Sequence, residues 1–467
     1  MKQRLRWAKI FARQKHQGGA SMTFYWILTE IRKLKRGFLE TVLPIVDREA
    51  VEQALSGFSR RKRIYHAWPT FMMFLCQVAG RESCRKEIAD AIGRKVIPLY
   101  SDEKTSSYCN ARNRLPEEPL RELAFKAGEA LAQKARGREL FFGRRVKVVD
   151  GSSTQLPDTN ANQAEYPQPK RQAEGCGLPV MYFSALMDLA TGAILSAETA
   201  GGCGSEQELF RKFWPSFKPR EIILADALYM SYANIAILAK RGVDCVFRWN
   251  DRRHHRMSTF VRLGKDDWLE TWERPGYTGK WNNPSDLPET ITVRVVRFTC
   301  DVKGQRSRKI EIITTLTDPR LYPREKLMEL YARRWEMELR LDDIKTTMKM
   351  VQLTCKTPDR CRKELWIGLL AYNLIRTIMF HAARRAGVSI ARISFAGTRD
   401  RIDAFSGSIY AFEDSVRLYE LLLMHVSHDQ VPDRPNRVEP RLVKRRWTRH
   451  SLLTVPRNSA RQALLRA

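Results

Sequence analysis

The chain has 467 residues, of which 43% are hydrophobic, so it can bury a sizeable core, and global disorder is excluded. Its 82 Lys and Arg residues outnumber its 52 Asp and Glu residues and give a formal net charge of +30, which indicates an anionic partner, above all a nucleic acid. The nine cysteines form no C-x-x-C pair, and no apolar run reaches the roughly 20 residues that cross a bilayer, so we expect reduced cytoplasmic thiols, no zinc site and no membrane partner.

Residues 1–140 are predicted to form a helical, DNA-binding region. Apolar residues recur at helical spacing in PTFMMFLCQVAG and CRKEIADAIG. The segments RESCRKEIADAIG and TSSYCNARNRLP are candidates for a pair of DNA-reading helices, and the second carries Asn110, Arg112 and Arg114 within little more than one turn. A helical bundle with a solvated basic face is the alternative interpretation.

From Arg145 the hydrophobic period changes, and strands and helices alternate through residues 141–250. RVKVVDGSS predicts a strand that ends in a turn, and PVMYFSALMDL with AILSAET predicts a hairpin. SEQELFRKFW predicts a helix capped by Ser205, REIILADALY a buried strand, SYANIAILAKRG a helix and VDCVFRWN a further strand. This order predicts an α/β domain.

Three further regions complete the predicted organisation. Residues 251–317 are predicted to be a β-rich insertion, with the runs ITVRVVRFTC and RKIEIITTLT. Residues 318–385 return to helix, and residues 386–467 are a helical C-terminal region with a basic tail. Trp249, Trp272 and Trp281 fit buried core positions better than base stacking.

Two aspartates follow aliphatic runs that read as buried strands. Asp150 lies at the end of the first strand, in VVDGSS, and Asp226 at the end of the fourth, in ILADALY. An acidic residue there is costly unless it is paired, hydrogen-bonded or bound to a metal. The two aspartates would form half of a divalent-metal site if their strands are adjacent, although each alone is more often a turn former or a helix cap.

The predicted helix YARRWEMELRLDDIK supplies a third carboxylate. At about 100° per residue, four of its polar residues fall on one stripe, and these are Tyr331, Arg334, Glu338 and Lys345. Such a stripe suits a face toward an oxygen-ligated cation and a phosphodiester. A surface ion pair between Arg334 and Glu338 is the alternative. Glu336 points away from the stripe, whereas Asp342 lies near it and stays a rival of Glu338.

The spacing Tyr331-x₂-Arg334-x₃-Glu338-x₆-Lys345 resembles the YREK signature of bacterial insertion-sequence transposases of family four, a branch of the DDE transposases. The segments DGSS and DALY resemble the two Asp motifs of that family. The resemblance covers the chain from roughly Arg145 to its C-terminus and is weaker in the N-terminal third.

This resemblance implies a fold and a set of site residues. The fold would be an RNase H-like catalytic domain with a β-rich insertion, flanked by a helical N-terminal domain and a helical C-terminal region. Asp150, Asp226 and Glu338 would be the catalytic residues and would bind Mg²⁺ or Mn²⁺, with two ions expected. Tyr331, Arg334 and Lys345 would contact the DNA backbone near the cleavage site.

The resemblance also implies an activity: cut-and-paste DNA transposition, with metal-dependent cleavage at the element ends followed by strand transfer. Its partners would be double-stranded DNA, as terminal inverted repeats and as target, and a second copy of the chain in the DNA complex. We expect a bacterial cytoplasmic protein that associates with the nucleoid when bound to DNA. A stand-alone metal-dependent nuclease and a catalytically silent DNA-binding relative are the alternatives.

Overall fold

A computed structural model describes eleven stretches of the chain: residues 48–58, 64–93, 96–98, 101, 104–201, 206–250, 260–276, 287–300, 308–406, 415–432 and 454–466. The predicted cap Ser205, the residue Trp281 and most of the basic tail lie outside these stretches. Helices and strands both occur in the described part, so the predicted mixed α/β class is confirmed.

The α-helices of the described residues are numbered here in chain order. They are α1 Arg48–Ala54, α2 Ala67–Gly80, α3 Cys84–Gly93, α4 Thr105–Arg114, α5 Glu117–Ala132, α6 Asn160–Glu165, α7 Glu206–Lys212, α8 Tyr232–Lys240, α9 Arg324–Ala332, α10 Trp335–Asp342, α11 Pro358–Ala386, α12 Phe395–Ser406, α13 Ser415–His428 and α14 Arg457–Arg466.

The β-strands of the described residues belong to one nine-stranded sheet. They are β1 Val146–Gln155, β2 Val180–Asp188, β3 Ile194–Ala200, β4 Ile222–Ala225, β5 Asp244–Arg248, β6 Val261–Gly264, β7 Asp267–Glu273, β8 Thr290–Cys300 and β9 Arg308–Thr314. The strand order is β3-β2-β1-β4-β5-β9-β8-β7-β6.

The chain divides into two compact units. The first unit comprises residues 1–134 and 342–432, and the second comprises residues 135–341 and 433–467. The five-part organisation predicted from the sequence stays a prediction, because this division sorts residues by their contacts rather than by function.

The first unit is helical and is built around α11. Nearly every residue of α11 from Leu365 to Phe380 is buried, and the helix packs against α2, α5 and α13. It is long and apolar enough to cross a membrane, but 94% of its most apolar 18-residue window is buried inside the protein. Protein therefore already covers the apolar surface of α11.

The second unit contains the sheet. Strands β1, β4 and β5 run parallel, and β2 and β3 form the predicted antiparallel hairpin beside β1. All four residues of β4 are buried, as a strand covered on both faces requires. The two runs predicted to be β-rich after residue 250 form β8 and β9, and β9 pairs antiparallel with β5.

Candidate active site

Asp150 and Asp226 lie on neighbouring parallel strands. The pairing of β1 with β4 matches Val148 with Leu224, and the same register continued by two residues sets Asp226 beside Asp150. Because side chains alternate between the two faces of a strand, both aspartates leave their strands on the same face. The structure thus brings together two carboxylates that are 76 positions apart in the sequence.

β1 does not end at Asp150, so the prediction of a turn in the DGSS segment is wrong. Gly151 to Gln155 continue the strand because they pair antiparallel with residues 180–184 of β2. The parallel pairing with β4, in contrast, stops at Val148. Asp150 therefore lies where β1 loses its neighbour on the β4 side, which opens the edge of the sheet beside its carboxylate.

Each aspartate also makes a local hydrogen bond with one carboxylate oxygen. The backbone N–H of Gly151 donates to Asp150 Oδ1 at 2.8 Å. The backbone N–H of Leu228 donates to Asp226 Oδ1 at 2.8 Å, so Asp226 caps the short 3₁₀ turn Ala227–Tyr229. The capping interpretation of Asp226 is thus correct locally, and among the described residues its second carboxylate oxygen accepts no hydrogen bond.

Arg334 links Glu338 to Asp150. The guanidinium Nη2 of Arg334 lies 2.8 Å from Glu338 Oε1, and its Nη1 lies 3.7 Å from Asp150 Oδ2. One guanidinium group therefore bridges the carboxylates of Glu338 and Asp150. The interpretation of Arg334 and Glu338 as an isolated surface pair does not fit, because Arg334 is 17% exposed and Asp150 only 20%.

The two local rivals of Glu338 have other partners. Glu336 Oε1 accepts a hydrogen bond from Arg333 Nε at 2.7 Å. Asp342 is exposed and accepts a hydrogen bond from the Thr346 hydroxyl at 2.7 Å. Among these three acids, Glu338 is the one whose cationic partner also contacts Asp150.

The helix that carries Glu338 is not continuous, which corrects the uninterrupted helix predicted from the sequence. α9 ends at Ala332 and α10 begins at Trp335, and the hydrogen bonds between them tighten to 3₁₀ spacing, from Arg334 N–H to the Tyr331 carbonyl at 3.0 Å. Tyr331 is 7% exposed. Lys345 lies in a π-helical segment, Asp343–Thr347, and belongs to the first unit, so the structure does not place it with the other three signature residues.

The pKa of Asp150 reflects its burial and the charges of the side chains around it. Burial, the largest cause, together with the charges of Asp226 and Glu338 raises the pKa of Asp150 to about 6, against the opposing effects of the Gly151 N–H and the Arg334 charge. A carboxyl group in this environment gains from any added positive charge. Added positive charge beside Asp150 would therefore stabilise its ionised form.

The donor chemistry fits a hard divalent cation, because carboxylate oxygens are the ligands that such ions prefer. In the part of the chain that the structure describes, no three Asp, Glu, His or Cys side chains already converge closely enough to hold one ion. Arg334 supplies positive charge between Asp150 and Glu338 instead. Binding of an ion by all three carboxylates thus requires Arg334 to move away from Asp150.

A fourth carboxylate, which the sequence analysis did not single out, lies beside this site. Glu206 opens α7, and its carboxylate packs against the backbone of Gly151. The only sequence signal is an acidic residue at the start of the helix that follows the third strand. The sequence analysis assigned that helix start to capping, through Ser205 and Glu208.

Other predicted functional residues are packed inside the protein. Arg112 Nη1 lies 2.5 Å from Gln77 Oε1, and its guanidinium lies 4.8 Å from the centre of the Phe74 ring. The prediction that Arg112 lies on a DNA-reading surface is therefore wrong. Trp249 and Trp272 are 3% and 7% exposed and meet edge to face at 5.8 Å, which confirms their predicted core position.

Comparisons with known proteins identify the family and relatives of this chain. The model of the family described as "Transposase DDE domain" matches residues 141–374, half of the chain. The Escherichia coli (strain K12) protein "Transposase InsG for insertion sequence element IS4" is 26% identical over 410 residues, which cover 86% of this chain and 89% of the relative. The cryo-EM structure of a piggyBac transposase synaptic complex with hairpin DNA aligns with a TM-score of 0.42 at 10% identity, covering 86% of this chain and 81% of that chain.

The chain therefore belongs to the family of proteins with a transposase DDE domain. It is a DDE-type transposase, an enzyme of DNA transposition, as its sequence predicted. The resemblance to bacterial insertion-sequence transposases is confirmed, whereas the four-residue signature stays a prediction. DDE transposases generally use divalent metal ions.

Proposed function

We propose that this transposase moves its element by a cut-and-paste route and that Asp150, Asp226 and Glu338 are its catalytic carboxylates. Two observations support the proposal: Arg334 contacts both Glu338 and Asp150, and the register of β1 and β4 sets Asp226 beside Asp150. The strand order β3-β2-β1-β4-β5, with β1, β4 and β5 parallel, supports an RNase H-like core for the second unit.

The three carboxylates would hold Mg²⁺ or Mn²⁺, with two ions expected. Such ions, when bound, stabilise the attacking and leaving oxygens of an in-line phosphoryl displacement. The register of β1 and β4 would set the positions of Asp150 and Asp226 as ligands, and Glu338 would approach them from α10.

The proposed reaction has two displacements at phosphorus. In the first, water attacks a phosphodiester at the element end; a P–O bond forms, the P–O3′ bond breaks, and the freed 3′ oxygen takes up a proton. In the second, that 3′-OH attacks a phosphodiester of the opposite strand or of the target, and another 3′-OH leaves. Because each step exchanges one P–O bond for another, positioning and electrostatics suffice for catalysis.

Arg334, Tyr331 and Lys345 are proposed to act on the DNA backbone. When a cation enters, Arg334 no longer has to neutralise Asp150, and its guanidinium becomes available to a phosphate, for which its planar donors are suited. Tyr331 is nearly buried and supports Arg334 from α9. The excess of 30 positive charges supports double-stranded DNA, at terminal repeats and target, as the partner. Two protomers would hold the two element ends, in the bacterial cytoplasm and at the nucleoid.

The test uses purified full-length protein, Mg²⁺ and a duplex that carries the element's terminal repeat. Asp150→Ala, Asp226→Ala and Glu338→Ala should each reduce cleavage to background, and pairs of these changes should cost little more than one, because the residues act as a unit. Glu336→Ala is the matched control from the same helix, and it should cleave like the parent.

Two results would count against this assignment. If all three variants cleave like the parent, the proposed catalytic role of these carboxylates is wrong. If Asp342→Ala loses cleavage but Glu338→Ala does not, the third catalytic carboxylate is Asp342, one helical turn further along the chain. Cleaved ends without any hairpin or joined product would instead identify a stand-alone nuclease.

A further inference from the structure

Two cysteines of the first unit lie against each other. Cys84 is the first residue of α3, and Cys109 lies in the middle of α4, 25 positions further along the chain. The Cys109 thiol donates a hydrogen bond to Cys84 Sγ, and the two sulfur atoms are 3.5 Å apart. Both residues are partly exposed, whereas Cys76, Cys355 and Cys361 of the same unit are buried. Cys84 and Cys109 are thus close to each other and accessible to a small molecule from solvent.

A third helix holds Cys84 Sγ in this position. Gln77 of α2 donates from Nε2 to Cys84 Sγ at 3.4 Å. Its Oε1 accepts from the Tyr108 hydroxyl at 3.0 Å and from Arg112 Nη1 at 2.5 Å. The amide of Gln77 therefore ties Cys84 to two side chains of α4, which also carries Cys109. Cys84 Sγ receives one hydrogen bond from each of these two neighbouring helices.

These contacts give the two thiols different chemistry. The hydrogen bond from Cys109, helped by the charge of Arg112, outweighs burial and lowers the pKa of Cys84 to about 5. The same hydrogen bond raises the pKa of Cys109, and burial and the negative charge of Cys84 add to this effect. At neutral pH Cys84 is therefore a thiolate, which is the nucleophilic form of cysteine, and Cys109 keeps the proton.

We propose that Cys84 and Cys109 form a reversible oxidation site, at which a hydroperoxide converts the two thiols into a disulfide that joins α3 to α4. The inference does not depend on the catalytic carboxylates, because the site lies in the first unit. The sulfur atoms have to approach by about 1.5 Å to reach the S–S bond length of about 2.05 Å. Cys84 lies in the first turn of α3, where the N–H groups have no partner within the helix, so a small shift there leaves the rest of α3 in place.

The oxidation has two steps, and a hydroperoxide is its oxidant. In the first, the Cys84 thiolate attacks a peroxide oxygen; an S–O bond forms, the O–O bond breaks, and the released hydroxide takes up a proton to become water. Cys84 is then a sulfenic acid, which condenses with a neighbouring thiol. In the second, Cys109 attacks Cys84 Sγ; the S–S bond forms, the S–O bond breaks, and the hydroxide leaves as water with the Cys109 proton. Two thiols are oxidised while one peroxide, taken as hydrogen peroxide, is reduced to two waters.

The experiment exposes the reduced full-length protein to hydrogen peroxide, blocks the remaining thiols with N-ethylmaleimide and analyses the peptides by mass spectrometry without reduction. We expect a linked peptide that contains Cys84 and Cys109 and is lighter by two hydrogen atoms than its two parts. Dithiothreitol should convert it back into two thiols. Cys176→Ser is the matched control, because it removes another partly exposed cysteine and should keep the linked peptide.

Two variants test the order of the steps, and thermal melting of the reduced proteins shows that both are folded. In Cys109→Ser, the serine hydroxyl can still donate to Cys84, so Cys84 should stop at the sulfenic acid, which dimedone captures. In Cys84→Ser, Cys109 should give neither a linked peptide nor a dimedone adduct.

Three results in the parent protein would overturn the proposal. The first is oxidation of Cys84 to a sulfinic or sulfonic acid without any linked peptide. The second is a link from Cys84 to Cys355 or to a second molecule instead of to Cys109. The third is a linked peptide that dithiothreitol does not return to thiols.

Discussion

Arg334 provides the positive charge between two of the site's carboxylates. Its two terminal nitrogens contact Glu338 and Asp150 at the same time. A guanidinium can form this fork, whereas the ammonium of lysine is a compact point charge. We therefore expect Arg334→Lys to lose nearly as much cleavage as Arg334→Ala, by about 10²-fold, because misplacing catalytic groups by about 1 Å has an effect of that size.

Single-turnover cleavage of a terminal-repeat duplex measures this effect. Arg333→Lys is the matched control, because Arg333 is 43% exposed and pairs with Glu336 rather than with the site carboxylates. Full activity of Arg334→Lys would show that positive charge alone, without the two-sided contact, is what the site needs.

Cys84 is expected to be an unusually reactive thiol. Its Sγ lies 3.5 Å from Cys109 Sγ, and the hydrogen bond from Cys109, helped by the charge of Arg112, outweighs burial and lowers the pKa of Cys84 to about 5. A lowered pKa means that the thiolate is already present at neutral pH, and the thiolate is the form that reacts. Alkylation of Cys84 should therefore rise around pH 5, whereas an ordinary cysteine reacts only as the pH nears about 8.5.

Iodoacetamide labelling across this pH range, read by mass spectrometry of the Cys84 peptide, tests the prediction. Cys109→Ala removes the donor and should move the labelling midpoint of Cys84 to higher pH. Buried Cys245, whose pKa burial raises to about 12, is an internal reference that should stay unlabelled. A midpoint of Cys84 near that of an ordinary thiol would contradict the prediction.

At the scale of elements, a buried ion pair fixes the chain that leads into α9. Arg294 of β8 is fully buried and forms a two-sided pair with Asp267 of β7, with Nε–Oδ1 at 2.8 Å and Nη2–Oδ2 at 2.5 Å. Its Nη1 also donates to the Tyr322 carbonyl at 2.8 Å. Removing one partner of a buried pair leaves an uncompensated charge and costs about 3–5 kcal/mol.

Asp267→Asn should therefore lower the thermal stability of the second unit and increase hydrogen exchange in β7, β8 and the start of α9. The more exposed pair of Arg297 on β8 and Glu311 on β9 offers a control from the same sheet. Glu311→Gln should cost about 1 kcal/mol or less. Equal destabilisation by the two variants would show that burial does not set the strength of these pairs.

The elements also show where sequence patterns stop being informative. The buried run of β4 and the hairpin of β2 and β3 were predictable, because their apolar periods are local. The continuation of β1 beyond Asp150 was not, since Gly151 and Ser152 are poor strand formers and are held by pairing with β2. Partners distant in sequence decide such strand ends.

The residues of the candidate site also differ in whether a local sequence pattern predicts them. Asp150, Asp226 and Glu338 could be predicted as site residues because each stands in a recognisable local pattern, and the structure sets Asp226 beside Asp150 and links Glu338 to Asp150 through Arg334. The position of Glu206 beside this site was not predictable, because it depends on contact with Gly151, which the sequence of its own helix does not reveal. The packing of Arg112 against Gln77 was likewise hidden, since α4 buries only Tyr108 and Ala111, too short an apolar stripe to define which side of the helix faces the core.

At the scale of the whole molecule, the net charge of +30 is the property that most constrains the partner. A protein that neutralises several phosphates releases the counterions condensed on them, so its affinity for DNA falls steeply with salt. We expect affinity for a terminal-repeat duplex to fall by roughly 10³-fold or more between about 50 and 200 mM salt, as for proteins with about 6–10 phosphate contacts.

The salt dependence of DNA affinity also tests whether Lys345 contacts a phosphate. If it contacts a phosphate, Lys345→Ala should weaken binding to specific and unrelated duplexes alike and reduce the slope of log affinity against log salt by about 1. Lys326→Ala is the matched control, because it removes the same charge from an exposed lysine already paired with Glu329 at 2.8 Å. Fluorescence anisotropy across a salt series measures both slopes. If the Lys345 slope equals that of the parent and the control, Lys345 touches no phosphate, and its place in the signature needs another explanation.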